Sequence, residues 1–226
     1  LLAFSIFNFR KKKMNNLKEI ASAIQLEINK RLPGIDAHKT MLPEGRTMPN
    51  NYLDNINNYK QSAVFALLFQ ENKTINILLT QRHDYEGKHS GQISFPGGKK
   101  EEQDDNLLIT AYRETYEEVG IHEESIELIS ALSPLYIPVS NFFVQPYLGY
   151  IDQLPELNIN TREVKSIVKF PLHEINNSSL MKIKKIEASS GLFLTVPAFE
   201  IDDHTIWGAT AMMLREIGEI VKPLGI

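Results

Sequence analysis

The segment that decides the fold is Arg113-Glu114-Thr115-Tyr116-Glu117-Glu118-Val119-Gly120-Ile121, and it follows Gly97-Gly98 at a distance. Residues three and four positions apart lie on the same face of a helix. The carboxylates of Glu114, Glu117 and Glu118 are therefore expected to converge on one side of a helix. The opposite face is expected to pack on a sheet through small and apolar residues, namely Leu108, Ala111, Thr115 and Val119.

The sequence also indicates where this helix begins and ends. Side chains of Asp104-Asp105-Asn106 can accept hydrogen bonds from the first free backbone N–H groups of a helix. Gly120 supplies the left-handed conformation that commonly follows a last helical turn. The sequence therefore predicts a helix that starts after Asn106 and ends at Val119.

The acidic face predicts a divalent cation. Glu114 and Glu118 repel each other by a few tenths of a kcal/mol in an isolated helix. Oxygen ligands without His or Cys favour Mg²⁺ or Mn²⁺, and Mg²⁺ commonly shares its shell with substrate phosphates. A solvated acidic surface is the alternative, and it is the better interpretation of three glutamates taken alone. The spacing and the preceding glycines favour the metal site.

This pattern resembles the Nudix box, in which a glycine and a distant acidic residue precede Arg-Glu-x-x-Glu-Glu-x-Gly-apolar. The matching residues are Arg113, Glu114, Glu117, Glu118, Gly120 and Ile121, and Thr115 stands where an aliphatic residue is usual. The interval from Gly98 to Arg113 is one residue longer than in the common box. Asp104 or Asp105 takes the place of the usual glutamate.

The resemblance implies an α/β fold, a Nudix-type α/β/α sandwich with a mixed central sheet and, here, an N-terminal helical extension. It implies that Glu114, Glu117 and Glu118 bind Mg²⁺ or Mn²⁺, with a further oxygen from the Gly97 carbonyl. Arg113 would orient a glutamate, since Arg113 and Glu117 are one helical turn apart. The chemistry agrees, because hydrolysis of a pyrophosphate bond requires neutralised charge and a positioned water.

One branch of the family is particularly similar. The segments Leu79-Thr80-Gln81-Arg82, Gly91-Gln92 and Phe95-Pro96-Gly97-Gly98, with His89, resemble the pattern of coenzyme A diphosphatases, whose box has the same extra residue. Trp207-Gly208-Ala209-Thr210-Ala211 and Arg215-Glu216 are similar to that branch as well. This chain departs from the branch at Glu86-Gly87, where an apolar residue and an arginine are usual, and Lys88 is the candidate replacement.

Further candidate site residues lie outside the box. Glu163 matches the position at which an acidic group often enters such sites from a later loop, and its alternative is an ordinary glutamate before a strand. Arg82, His89 and Lys88 lie beside the box and are candidates for contact with substrate phosphate, including the 3′-phosphate of coenzyme A. The alternative for this segment is a solvated polar loop.

Periodicity predicts the elements around this centre. An amphipathic helix is expected over residues 16–31, an extended connector over 33–60 and a closing helix over 208–221. Apolar runs predict strands at 62–69, 74–80, 126–132, 142–151 and 163–170. We expect three regions: a tail or non-native leader at 1–14, the helix and connector at 15–60, and a Nudix hydrolase domain at 61–226.

Composition narrows the function classes. The chain has no cysteine, which excludes thiol nucleophiles and cysteine-bound zinc. A formal net charge of -4 argues against a nucleic-acid surface. No apolar run reaches the roughly 20 residues that span a bilayer, so no membrane partner is expected. We expect a cytoplasmic monomer or homodimer.

The substrate hypothesis is a small-molecule nucleotide, preferably coenzyme A or its thioesters, cleaved to 3′,5′-adenosine bisphosphate and a phosphopantetheine. The alternative substrates are ADP-ribose, NADH, a dinucleoside polyphosphate or a nucleoside triphosphate, because surrounding loops select the substrate. A non-catalytic nucleotide-binding regulator is the third hypothesis. The presence of all three box glutamates disfavours it.

Overall fold

The computed structural model describes residues 16–48, 58–83, 91–187 and 191–226. Within these residues the α-helices are α1 (Leu17–Lys30), α2 (Ile35–Lys39), α3 (Leu107–Val119) and α4 (Gly208–Val221). The strands are β1 (Lys60–Glu71), β2 (Thr74–Arg82), β3 (Ile93–Ser94), β4 (Gly97–Lys99), β5 (Glu127–Ala131), β6 (Leu135–Ile137), β7 (Phe142–Ile151), β8 (Val164–Pro171), β9 (Met181–Glu187), β10 (Phe193–Ile201) and β11 (His204–Trp207).

The main sheet is mixed. Its central order is β3-β2-β1-β7-β5, with β4 also paired to β1, β6 to β7 and β8 to β2. Strands β1 and β7 run parallel, whereas the other pairs of this sheet are antiparallel. All five strands predicted from apolar runs are present, with small shifts at their ends.

Strand β1 separates two apolar cores. Because successive side chains of a strand point to opposite faces, alternate residues of β1 enter different clusters. One set packs with Ala111 and Val119 of α3 and consists of Ala63, Phe65, Leu67 and Phe69. Ala66 and Leu68 pack in the other cluster, with Ile24 of α1 and Leu214 of α4. The predicted α/β fold, with a mixed sheet between helical layers, is confirmed.

The N-terminal helix is part of the second core. The Asn16 side chain accepts a hydrogen bond from the Glu19 N–H at 2.8 Å and caps the helix start. The predicted apolar stripe is buried, and its members are Leu17, Ile20, Ala21, Ile24 and Ile28. The predicted helical extension is therefore present and packs on the sheet.

The connector is not extended throughout, so that prediction was wrong for residues 35–39. These residues form α2, whose Ala37 and His38 are buried. His38 Nε2 lies 3.0 Å from Glu216 Oε2 of α4, and this tertiary contact stabilises a helix too short to show a sequence period. Residues 49–57 of the connector lie outside the described residues.

A second, three-stranded antiparallel sheet was not predicted. It has the order β11-β10-β9 and leads directly into α4. The predicted closing helix over 208–221 matches α4. Among the described residues, every helix falls short of the length and apolar character needed to cross a membrane.

Candidate active site

Helix α3 begins and ends where the sequence predicts. Asn106 Oδ1 accepts hydrogen bonds from the N–H groups of Leu108 and Ile109 at 2.9 and 3.1 Å. Gly120 has a φ of 74°, and a Cβ at this position would lie 2.7 Å from the Cβ of Asn158. Glycine is therefore required at the helix end by both the backbone conformation and the close loop.

Arg113 is the centre of a hydrogen-bond cluster on α3. Its Nε and Nη2 each donate to the Asp104 carboxylate at 3.0 Å. Its Nη1 donates to Glu114 Oε1 and to Glu117 Oε2, both at 3.0 Å, and Nη2 also donates to the Lys99 carbonyl. The predicted contact between Arg113 and Glu117 is present. A two-pronged guanidinium thus fixes the direction of both glutamates.

Asp104, and not its neighbour Asp105, is the aspartate that binds Arg113 in this cluster. Asp104 is buried and also accepts hydrogen bonds from the Glu101 N–H and the Thr110 hydroxyl, both at 2.9 Å. The hydrogen bond from Arg113 holds the pKa of Asp104 well below its ordinary value, against the opposing effect of burial. Asp104 is therefore an ionised, buried partner of Arg113.

Glu118 faces a different partner. Its side chain is only 3% exposed, and its Oε1 lies 3.9 Å from Arg82 Nη1. Among the described residues, Glu118 Oε2 and Arg82 Nε are both buried without a hydrogen-bond partner. Burial raises the pKa of Glu118 to about 8, although the Arg82 charge opposes this. The acidic face of α3 is therefore not wholly exposed to solvent, because Glu118 is buried.

Glu114 is also partly withdrawn from solvent. Burial raises the pKa of Glu114 to about 7, while the charge of Arg113 acts in the opposite direction. A Cβ on Gly98 would overlap the Glu114 carboxylate, which explains the glycine there. Gly97 pairs with Val64 of β1, and its N–H lowers the pKa of Glu118 through a hydrogen bond.

Glu163 approaches the same site from the loop before β8. Asn160 Nδ2 donates to Glu163 Oε1 at 3.1 Å. The Asn160 N–H donates to the Glu118 carbonyl at 2.9 Å, which holds this loop against the end of α3, and the negative charge of Glu163 contributes to the raised pKa of both Glu114 and Glu118. The sequence indicated Glu163, but it gave no signal for Asn160, because an isolated loop asparagine has no characteristic spacing.

The predicted substrate residues are described only in part. Arg82, at the end of β2, lies against Glu118, whereas Lys88 and His89 lie outside the described residues, as do Glu86 and Gly87. Lys100, another basic residue near the box, donates to the Asp104 carbonyl. Of the three predicted substrate residues, Arg82 is therefore the one that the described structure brings to the acidic centre.

The residues present fit a hard divalent cation. In the described part of the chain, no three carboxylate or imidazole groups already form a complete ligand cluster, since Glu114 and Glu117 point to Arg113 and Glu118 to Arg82. However, Glu118 Oε2 is a buried carboxylate oxygen without a hydrogen-bond partner among these residues, and the charge of Glu114 raises the pKa of Glu118. A bound cation would offset both the burial of this charged oxygen and its repulsion by Glu114.

A family model for the NUDIX domain matches residues 59–190. This match covers more than half of the chain, and the protein belongs to the Nudix family. It is a Nudix hydrolase, a pyrophosphatase that acts on phosphorus-containing anhydrides. Hydrolases of this family generally use divalent metal cations.

The curated relatives include Yersinia proteins with the name uncharacterized Nudix hydrolase NudL. The protein from Yersinia enterocolitica is 34% identical over 146 residues, which is 65% of this chain and 74% of the relative. The protein from Yersinia pestis is 29% identical over 189 residues, or 83% of this chain and 93% of the relative. The solved Nudix hydrolase RenU of M. smegmatis has a similar fold, with a TM-score of 0.51, 11% identity and coverage of 73% of this chain and 87% of RenU.

Proposed function

We propose that this Nudix hydrolase cleaves the pyrophosphate bond of coenzyme A or its thioesters. Addition of water gives 3′,5′-adenosine bisphosphate and phosphopantetheine or acyl-phosphopantetheine. The observation that supports a phosphate substrate most strongly is a pair of buried atoms, Glu118 Oε2 and Arg82 Nε, that have no hydrogen-bond partner within the described ranges. A buried oxygen ligand next to a buried cationic donor suits a metal-phosphate complex.

Mg²⁺ or Mn²⁺ would be held by Glu114, Glu117 and Glu118, with the Gly97 carbonyl as a further oxygen. When bound, this cation supplies charge neutralisation at the phosphoryl oxygens and increases the acidity of water. Arg113 keeps the carboxylates of Glu114 and Glu117 turned to the same side of α3, through hydrogen bonds of 3.0 Å. The ordered carboxylates need little rearrangement when substrate binds.

Arg82 is proposed to bind the diphosphate that is cleaved. The sequence also made it a candidate for the 3′-phosphate, but its guanidinium lies 3.9 Å from Glu118, at the acidic centre. A phosphate held there by Arg82 belongs to the reacting bond. Lys88 and His89 remain the proposed contacts for other parts of the substrate.

Glu163 is proposed to receive the proton of the attacking water. Glu163 is exposed, and Asn160 connects its carboxylate to the Glu118 backbone through hydrogen bonds of 3.1 and 2.9 Å, so Glu163 is available to water that approaches the diphosphate. Arg113 and Arg82 are less suited to this role, because a guanidinium does not deprotonate in proteins. The proton leaves water as the new phosphorus–oxygen bond forms, and the bridging oxygen departs with the other phosphate.

Coenzyme A is preferred on the basis of the residues around the box. The pattern Leu79-Thr80-Gln81-Arg82, Gly91-Gln92 and Phe95–Gly98 resembles coenzyme A diphosphatases. In the structure, β2 pairs with β3, the Arg82 N–H donates to the Gln92 carbonyl at 3.0 Å, and the Arg82 side chain lies 3.9 Å from Glu118 of α3. The departure from the branch pattern at Glu86-Gly87 is the observation that favours an alternative substrate, another nucleoside diphosphate derivative such as ADP-ribose or NADH.

The proposal is tested by identifying products. Purified protein is incubated with coenzyme A and Mg²⁺ or Mn²⁺ in ¹⁸O-labelled water, and the products are separated and weighed by mass spectrometry. We expect 3′,5′-adenosine bisphosphate and phosphopantetheine in equal amounts, with one labelled oxygen in one of them. A Glu118→Gln variant and a chelated sample serve as controls. Intact coenzyme A beside hydrolysed ADP-ribose or NADH would contradict the proposed substrate.

A further inference from the structure

The loop of residues 158–163 is bound to the C-terminal end of α3. The last carbonyls of a helix have no partner within the helix and must be satisfied from outside. Here the Asn158 N–H donates to the Val119 carbonyl at 3.1 Å, and the Asn160 N–H donates to the Glu118 carbonyl at 2.9 Å. The backbone of this loop is therefore fixed next to a residue whose side chain forms the acidic centre.

Asn160 also organises the loop through its side chain. Its Nδ2 donates to Glu163 Oε1 at 3.1 Å, and its Oδ1 accepts the Arg162 N–H at 3.1 Å. The Asn160 carbonyl accepts the N–H groups of Glu163 and Val164 at 3.0 and 2.9 Å. A single residue thus connects the backbone of Glu118, the turn of the loop and the carboxylate of Glu163.

A second contact holds the other side of the loop. His83 Nε2 lies 2.9 Å from the Thr161 carbonyl, and His83 directly follows Arg82 at the end of β2. The loop therefore spans the distance between the end of α3 and the end of β2. These two elements supply the Glu118 and Arg82 side chains.

An amide is well suited to hold Glu163. A lysine or arginine in place of Asn160 would pair with the carboxylate and neutralise much of its charge. An aspartate would repel it. The asparagine donates one hydrogen bond, which restricts the direction of the Glu163 carboxylate and leaves its negative charge available to a proton or water.

We propose that Asn160 is a positioning residue that aligns Glu163 with the acidic face of α3. It acts through its backbone bond to Glu118 and its side-chain bond to Glu163. This inference rests on the proposed function, in which Glu163 receives the proton of water. The role of Asn160 is indirect, since its contacts are with Glu118, Arg162, Glu163 and Val164 and not with reacting atoms.

A double-mutant cycle tests this role. We expect Asn160→Ala and Asn160→Asp to lower kcat about tenfold, which corresponds to the loss of one hydrogen bond, and to change KM by less than about twofold. In a Glu163→Gln background, Asn160→Ala should change kcat by less than about twofold, because the carboxylate to be aligned is already gone. Asn158→Ala is the matched control, since Asn158 binds α3 through its backbone, and it should keep the parent kcat.

Hydrogen exchange supplies a readout that does not depend on activity. Asn160→Ala should accelerate hydrogen exchange at residues 160–164 and leave α3 protected. Asn158→Ala should leave the exchange rates of residues 160–164 unchanged. An equal kcat loss from Asn160→Ala in the parent and Glu163→Gln backgrounds would overturn the inference, as would an equal loss in Asn158→Ala. Full activity of Glu163→Gln would overturn it too. The cycle is run on whichever nucleotide the parent hydrolyses, so a wrong substrate assignment is recognised separately.

Discussion

Glu118 is a carboxylate in a place where ionisation is unfavourable without a partner. Its side chain is 3% exposed, its Oε2 has no hydrogen-bond partner among the described residues, and Arg82 is 3.9 Å from its other oxygen. An unsatisfied buried carboxylate destabilises a fold. Such a cost at one residue is typical of functional sites, where a ligand completes the interactions.

The cost at Glu118 predicts an effect of pH on stability. Its pKa is raised from 4.5 to about 8, so the folded, metal-free protein binds the proton more tightly than the unfolded chain. The contribution of this bound proton to the stability of the folded protein is complete below pH 4.5 and is lost as pH rises to about 8. Glu118→Gln should therefore raise the thermal midpoint of the metal-free protein at pH 8 more than at pH 5.

The same substitution should lower kcat by on the order of 100-fold. Glu117→Gln is expected to cause a comparable loss of kcat without the change in stability, because Glu117 is half exposed. Thermal unfolding with chelator and steady-state kinetics with Mn²⁺ separate the two effects. A Glu118→Gln protein that unfolds at lower temperature than the parent at pH 8 would refute this interpretation of the buried carboxylate.

Arg82 provides a second prediction for a single residue. Because its guanidinium lies beside Glu118, we expect Arg82→Ala to reduce kcat/KM for coenzyme A and dephospho-coenzyme A by the same factor, about 10- to 100-fold. Arg82→Lys should recover only part of this loss, since a lysine cannot present the Nε donor. A larger loss for coenzyme A than for dephospho-coenzyme A would instead assign Arg82 to the 3′-phosphate.

Helix α3 illustrates what sequence can predict for an element. Its limits followed from Asn106 and Gly120, and its two faces followed from the spacing of three and four residues. The acidic partner of Arg113 could not be chosen between Asp104 and Asp105, because adjacent residues differ in burial only after the turn before the helix is known. Likewise, the separation of Glu118 from the Arg113 cluster depends on β2, which a helix pattern does not contain.

The ion pair between Asp104 and Arg113 connects the turn before α3 to the helix itself, and we expect this pair to stabilise the fold. We expect Asp104→Asn to lower the free energy of unfolding by about 3 kcal/mol, because the mostly buried Arg113 guanidinium loses its most buried carboxylate partner and keeps only Glu114 and Glu117. Asp105→Asn is the matched control and should change stability by less than about 0.5 kcal/mol, since Asp105 is exposed. Urea denaturation compares the two, and equal midpoints would contradict the proposed anchor.

At the scale of the whole molecule, the apolar periods predicted the long strands of the main sheet and both terminal helices, and the family resemblance implied that this sheet is mixed. Neither predicted the second sheet. Strand β9 has the sequence MKIKKIE, and its lysines give it the composition of a surface segment. Helix α2 was missed because its stability comes from contacts distant in sequence. Glu216 of α4 accepts the Gly34 and Ser133 N–H groups at 3.2 and 3.3 Å and lies 3.0 Å from His38.

This buried junction predicts that the N-terminal segment is part of the folded unit. Glu216→Ala should lower the free energy of unfolding by about 3 kcal/mol or more, since it leaves two backbone N–H groups and a histidine without their acceptor. Glu219→Ala, on the solvent side of the same helix, should cost less than about 1 kcal/mol, because its ion pairs are partly exposed. Equal losses in denaturant titrations would show that the Glu216 contacts do not hold α2 and α4 together.

The most direct test of the proposed function is the ratio of kcat/KM for coenzyme A to that for ADP-ribose, measured with the same preparation in saturating Mg²⁺ or Mn²⁺. Glu118→Gln protein provides the background rate for both substrates. We predict that coenzyme A is preferred by about tenfold or more, as expected when a site pairs a phosphate that ADP-ribose lacks. A ratio at or below one, with ADP-ribose hydrolysed well above the Glu118→Gln background, would contradict coenzyme A as the substrate.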